Sequence, residues 1–222
     1  MEVLQMIIDF IIHIDDHLIS IVANYGTWTY AILFLTIFAE TGLVVTPFLP
    51  GDSLLFAAGA IAATGVLDPF LLFLLLFGAA VLGDFVNYSV GSYLGLKIFT
   101  KDAKLFKTAY LEKTQEFFKK YGGKTIVVAR FVPIVRTYAP FIAGTGSMNY
   151  SKFLFYNVLG GAIWTSLFIT AGYFFGNLPF VKNNFSLVVF IIIGTSIVPI
   201  LWEFVKKKLT SQKVENVKSH RR

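Results

Sequence analysis

Hydrophobic and polar positions fall into long blocks along this chain. Apolar segments run over about 28–46, 53–66, 69–95, 125–148, 153–176 and 185–205. Helical spans need about 20 residues at 1.5 Å each. Segments 69–95, 153–176 and 185–205 meet that length. Segment 53–66 falls short, and 28–46 carries Glu40 within it. Between these two lies Pro47-Phe48-Leu49-Pro50-Gly51-Asp52, which cannot continue a helix. The pattern predicts a re-entrant helical hairpin over about 28–66, broken at Pro47, Pro50 and Gly51. Segment 125–148 holds Arg130 and Arg136 and is interrupted by Pro133 and Pro140. A second re-entrant hairpin is expected there, because two arginines make a simple span costly.

Ahead of these segments the pattern changes. Glu2, Gln5, Asp9, His13, Asp16 and Ser20 recur every three or four residues. That spacing predicts an amphipathic helix lying on the membrane over 1–24. His13 and His17 read as part of its wet face, and no metal site is expected.

Composition agrees with the pattern. The 222 residues are 56% hydrophobic and 14% charged, with 24 Phe and no Cys. Soluble domains average about 25% charged residues. A soluble enzyme, a disordered chain and a disulfide-stapled domain are excluded. The expected fold class is an all-α polytopic membrane protein with one domain over 25–205.

Charge sets the expected orientation. Eight of the 13 acids precede the first basic residue, Lys97. Residues 97–124 hold eight Lys, and 206–222 hold seven basic residues. By the positive-inside rule both blocks are cytoplasmic, the second as a basic tail. They are expected to touch anionic lipid head groups. No nucleic-acid partner is expected. With both blocks on one side, the two hairpins enter from opposite faces. A faint internal repeat fits this arrangement. Ala58-Gly59 and Gly91…Gly95 have counterparts in Ala143-Gly144 and Gly172…Gly176. An inverted repeat of broken helices is a known way to build a midplane transport site.

The candidate chemistry lies in four charges placed where charge is expensive: Glu40, Asp52, Arg130 and Arg136. The arginines suit a phosphate head group, because guanidinium binds it bidentately. The acids suit proton coupling, since a carboxylate drawn out of water takes up a proton more readily. Locking salt bridges between the hairpins are a second reading of the same four residues. Asp84 and Asn87 are accessory candidates for a polar cavity. No metal or organic cofactor is implied; protons are the expected coupling ion. The three His, at 13, 17 and 220, and the absence of Cys argue against a lipid phosphatase.

These residues resemble the DedA family. Its first signature is similar to Glu40-Thr-Gly-Leu-Val-Val-Thr-Pro-Phe-Leu-Pro-Gly-Asp52, and its second to Arg130-Phe-Val-Pro-Ile-Val-Arg136-Thr-Tyr-Ala-Pro followed by Ala143-Gly144. Gly83-Asp84-Phe-Val-Asn87-Tyr also matches. The resemblance implies two opposed re-entrant hairpins ringed by membrane helices, in the bacterial inner membrane. It implies that the acids at 40 and 52 and the arginines at 130 and 136 are needed for activity linked to the proton motive force. Some members translocate undecaprenyl phosphate. The expected function is therefore proton-linked transport of that lipid. Passive phospholipid scrambling and proton-coupled antiport of ions or drugs stand as alternatives. Self-association is left open by the sequence.

Overall fold

The computed structural model describes residues 26–43, 51–95, 108–183 and 191. Every regular element among them is helical. In chain order these are α1 (Trp28–Gly42), α2 (Gly51–Ala62), α3 (Pro69–Leu94), α4 (Thr108–Tyr121), α5 (Thr125–Ala129), α6 (Pro133–Ile142), α7 (Tyr150–Phe175) and the short α8 (Pro179–Asn183). A 3₁₀ turn at Gly122–Lys124 joins α4 to α5, and a π turn at Ala143–Ser147 follows α6. The helix expected over 1–24, the tail over 206–222, and Pro47 and Pro50 lie outside the described residues. So does the span expected over 185–205, apart from Ile191.

Among the described residues, two helices are long and apolar enough to cross a bilayer. α3 and α7 have 26 residues each, with mean hydropathies of 2.2 and 1.5 over their most apolar stretch. At 1.5 Å per residue each reaches about 39 Å, beyond the roughly 30 Å of a hydrocarbon core. Their outward faces carry exposed apolar side chains such as Phe70, Leu74, Leu82, Phe155, Ile163 and Leu167. α1 and α2, with 15 and 12 residues, are too short to cross alone.

Both long helices begin in the same way. Asp68 caps α3 by accepting a hydrogen bond from the Leu71 N–H at 2.7 Å, with Pro69 in the first turn. Asn149 caps α7 by accepting from the Ser151 N–H at 2.9 Å. This cap starts α7 at Tyr150, three residues ahead of the apolar run that marks it in the sequence. The likeness continues along both helices. Leu72, Leu76, Ala79, Ala80, Gly83, Asp84 and Gly91 are buried on α3. Phe153, Asn157, Gly160, Gly161, Trp164, Thr165 and Gly172 are buried on α7, at the same intervals.

Packing repeats as well. α2 lies along α7, where a Cβ on Gly59 would strike the Ile169 carbonyl and one on Gly172 would strike the Phe56 carbonyl. α3 meets the end of α6 through Gly91 against the Phe141 carbonyl and Gly144 against the Tyr88 carbonyl. Each joint thus uses two glycines, each facing the carbonyl three residues before the other. Small residues let membrane helices approach this closely. The faint repeat of the sequence is the trace of these paired joints.

The break between α5 and α6 has a local cause. Val132 is extended (φ −125°, ψ 103°) because the following Pro133 disfavours helical geometry there. Pro133 then opens α6. The break expected at Pro140 is corrected: α6 runs through that residue, and the chain leaves helical geometry at Gly146 (φ 102°). Proline removes one N–H donor but keeps a helical φ, whereas φ above zero suits glycine.

Candidate functional site

The charged centre is built from side chains that six helices, or their ends, bring together around the Trp164 indole. α1 contributes Glu40 near its end, and α2 contributes Asp52 in its first turn. Asp84 sits midway along α3, and Trp164 midway along α7. Arg130 stands at the break after α5, and Arg136 one turn into α6. Pro133 therefore places the two arginines on different short elements.

Two ion-paired groups result. Arg130 Nη2 donates to Asp84 Oδ2 at 2.6 Å and to Asn157 Oδ1 at 2.7 Å. Asn157 in turn donates to the Val81 carbonyl at 3.0 Å, which fixes its amide. Arg130 and Asp84 are only 3% and 4% exposed, making this the inner pair. Gly160 and Gly161 of α7 leave the room its guanidinium occupies. Arg130 Nε and Nη1 are buried and find no hydrogen-bond acceptor among the described residues.

Arg136 forms the outer group. Its Nη1 reaches Asp52 Oδ1 at 3.1 Å, and its Nη2 lies 3.2 Å from Glu40 Oε1. Side-chain exposure rises to 12% for Arg136 and 19% for Asp52, so this is the more exposed of the two groups. Glu40 packs over Gly51, where any Cβ would overlap its carboxylate.

Trp164 joins the two groups. Its ring lies 4.3 Å from Arg136 Cζ and 5.7 Å from Arg130 Cζ. Its Nε1–H donates to Asp52 Oδ1 at 2.8 Å. The two arginines therefore converge, a point helical spacing alone leaves undecided. Three carboxylates face two guanidiniums, one acid more than the arginines neutralise. Removing such groups from water costs several kcal/mol per ion in general, so the cluster is an expensive feature of an otherwise apolar core.

Of the sequence candidates, Glu40, Asp52, Asp84, Arg130 and Arg136 meet at this centre. Asp84 is the direct partner of Arg130 rather than an accessory. Asn87 acts as a brace: its Nδ2 donates to the Thr137 carbonyl at 2.9 Å and contacts the Thr41 carbonyl at 3.4 Å. Gly51 opens α2 and Pro133 opens α6. Asn157 and Trp164 escaped the sequence reading. Their signal was a polar or bulky residue on the small-residue stripe of α7, seven positions apart, within a helix that otherwise reads as a plain span. No cluster of three metal-ligating side chains occurs among the described residues. On the outer side of α3 and α7 an apolar groove of about 510 Å³ runs between Phe70, Phe73, Ile169 and Tyr173.

Helices throughout the described residues, two of them apolar and of bilayer length, around a charged centre fit an α-helical membrane protein. Comparison with known proteins gives the family. Residues 49–174 match the VTT domain. Protein DedA of Escherichia coli K12 is 53% identical over 211 residues, covering 94% of this chain and 96% of that protein. An uncharacterized membrane protein of Mycobacterium tuberculosis is 40% identical over 185 residues, covering 80% of this chain and 79% of its own length. The inner membrane protein YghB of Escherichia coli K12 is 36% identical over 180 residues, covering 79% and 78%. This chain belongs to the DedA family of VTT-domain membrane proteins. No solved structure matches it.

Proposed function

We propose that this protein is a transporter of lipid phosphates in the bacterial cytoplasmic membrane, linked to the proton motive force, with undecaprenyl phosphate as its substrate. The observation that carries the reading is the buried centre itself, two arginines against three acids between bilayer-length helices. Charge in such a place calls for a function. Arg136 is the partly exposed arginine and the first ligand for a phosphate. Arg130, with two unpaired donors, stands behind it. The isoprenoid tail stays in lipid against the apolar groove.

Asp52 and Glu40 hold Arg136, so a phosphate must displace a carboxylate. A proton on Asp52 or Glu40 releases Arg136 and removes the excess negative charge at the same time. Proton uptake and head-group entry are coupled on this account. The pairs α1/α2 and α5/α6 are read as opposed re-entrant hairpins, with the glycine joints guiding their movement. The basic segments at 97–124 and 206–222 face the cytoplasm and its anionic lipids.

The test is undecaprenyl phosphate translocation in proteoliposomes, with and without an imposed pH gradient. Gradient-driven movement that disappears in Arg136→Ala and Glu40→Gln is the expected result. Movement indifferent to the gradient would make the protein a scramblase. No movement of this lipid by folded protein would overturn the substrate.

A further inference from the structure

The indole of Trp164 does more than fill space. Its ring is fully buried, yet it makes three contacts with charged groups. It stacks 4.3 Å from Arg136 Cζ, lies 5.7 Å from Arg130 Cζ, and donates its N–H to Asp52 Oδ1 at 2.8 Å. That oxygen also accepts from Arg136 Nη1. Ring, guanidinium and carboxylate therefore form a closed three-membered contact. A buried indole N–H needs an acceptor, and here the acceptor is the carboxylate that also binds the arginine stacked on the ring.

We propose that Trp164 is a positioning residue that holds Arg136 in the centre when Asp52 lets go. The inference rests on the transport reading above and adds to it the group that keeps the phosphate ligand in place. The charged groups around Arg136 are Glu40 from α1, Asp52 from α2, Asp84 from α3 and Arg130 from the break after α5. When a head group or a proton takes Asp52 out of its pair, one of the two nearest carboxylates is lost. The indole face remains. Cation–π attraction is strongest when both partners are shielded from water. It also leaves the guanidinium edge free, so Arg136 stays charged, directed and able to bind a second anion. Displacement of Asp52 frees the indole N–H to turn to the arriving phosphate.

The test uses full-length protein with Trp164 as its only tryptophan, made by Trp28→Phe and Trp202→Phe. In phosphatidylcholine nanodiscs its emission should be blue-shifted and inaccessible to acrylamide. Asp52→Ala should shift the emission and leave the indole shielded, because Arg136 stays on its face. Arg136→Ala should raise acrylamide quenching severalfold. Emission unchanged in both variants, or an indole open to acrylamide in the parent, overturns the proposal. In proteoliposomes with undecaprenyl phosphate, Trp164→Phe keeps a π face and should retain transport within about threefold. Trp164→Leu should raise the apparent KM about tenfold or more. Leucine protein that elutes as a single folded species and transports like the parent would also overturn it. If the parent moves no lipid phosphate, the transport reading fails, and the emission series still decides whether the indole clamps Arg136.

Discussion

Arg130 and Arg136 differ in what their loss leaves behind. Arg130→Gln takes away the guanidinium with which buried Asp84 is paired. Breaking a buried pair from one side costs about 3–5 kcal/mol. Arg136 and Asp52 are less deeply buried, at 12% and 19% side-chain exposure, so breaking their pair should cost less. Thermal melts in detergent should therefore rank Arg130→Gln well below Asp52→Asn. A double-mutant cycle should give a coupling for Asp84–Arg130 larger by about 2 kcal/mol than for Asp52–Arg136. Equal couplings would remove the distinction between inner and outer pairs. The sequence displayed all four of its principal charges, because lipid makes any charge within an apolar run conspicuous. It did not display who pairs with whom. Pairing depends on how Pro133 turns the chain between Arg130 and Arg136, and on an α7 surface whose Asn157 and Trp164 look unremarkable in a helix of that length.

Elements depend on their ends and their joints. Asp68 and Asn149 each satisfy an N–H that the first helical turn would otherwise leave unpaired. Asp68→Ala should lower stability by about 1 kcal/mol, read as a lower melting temperature with transport kept. A joint glycine is less forgiving. Gly144→Leu would drive a side chain into the Tyr88 carbonyl and the Ser92 N–H, and Gly59→Leu into the Ile169 carbonyl. Both should cut the yield of folded protein severalfold, while Gly78→Leu, which has open space around its Cβ position, should leave it near the parent level. A normal yield from Gly144→Leu would show that this joint opens easily. The long helices were legible from hydropathy alone. The end of α6 was not: Pro140 reads as a break, but a proline φ is compatible with helix, and the turn comes at Gly146 where φ becomes positive.

On the scale of the whole molecule, charge asymmetry carries the orientation. By the positive-inside rule, the proposed orientation has the basic blocks at 97–124 and 206–222 in the cytoplasm. The chain contains no cysteine, so a single introduced thiol reports its own location. Ser211→Cys in intact spheroplasts should resist a membrane-impermeant maleimide and react after lysis. Labelling before lysis would invert the orientation and require the hairpins to be reassigned. The long spans and the chemical character of the centre were visible in the sequence from composition and spacing. Contacts between distant segments, including the shared burial pattern of α3 and α7, needed three dimensions. Sequence identity fades quickly between the halves of a repeat, while the face that each helix must bury does not.

The reciprocal glycine joints also bear on genetics. A single-base missense change in a glycine codon gives alanine or something larger, and at Gly59, Gly91, Gly144 or Gly172 even a methyl group meets a backbone carbonyl. In a random-mutagenesis screen for lost activity, inactive alleles will gather at these glycines, one helix turn or more from any charge. Read by phenotype alone they would pass for site residues. Membrane abundance separates the two kinds: joint alleles vanish from the membrane, while alleles at Glu40 or Arg136 remain there, folded and silent.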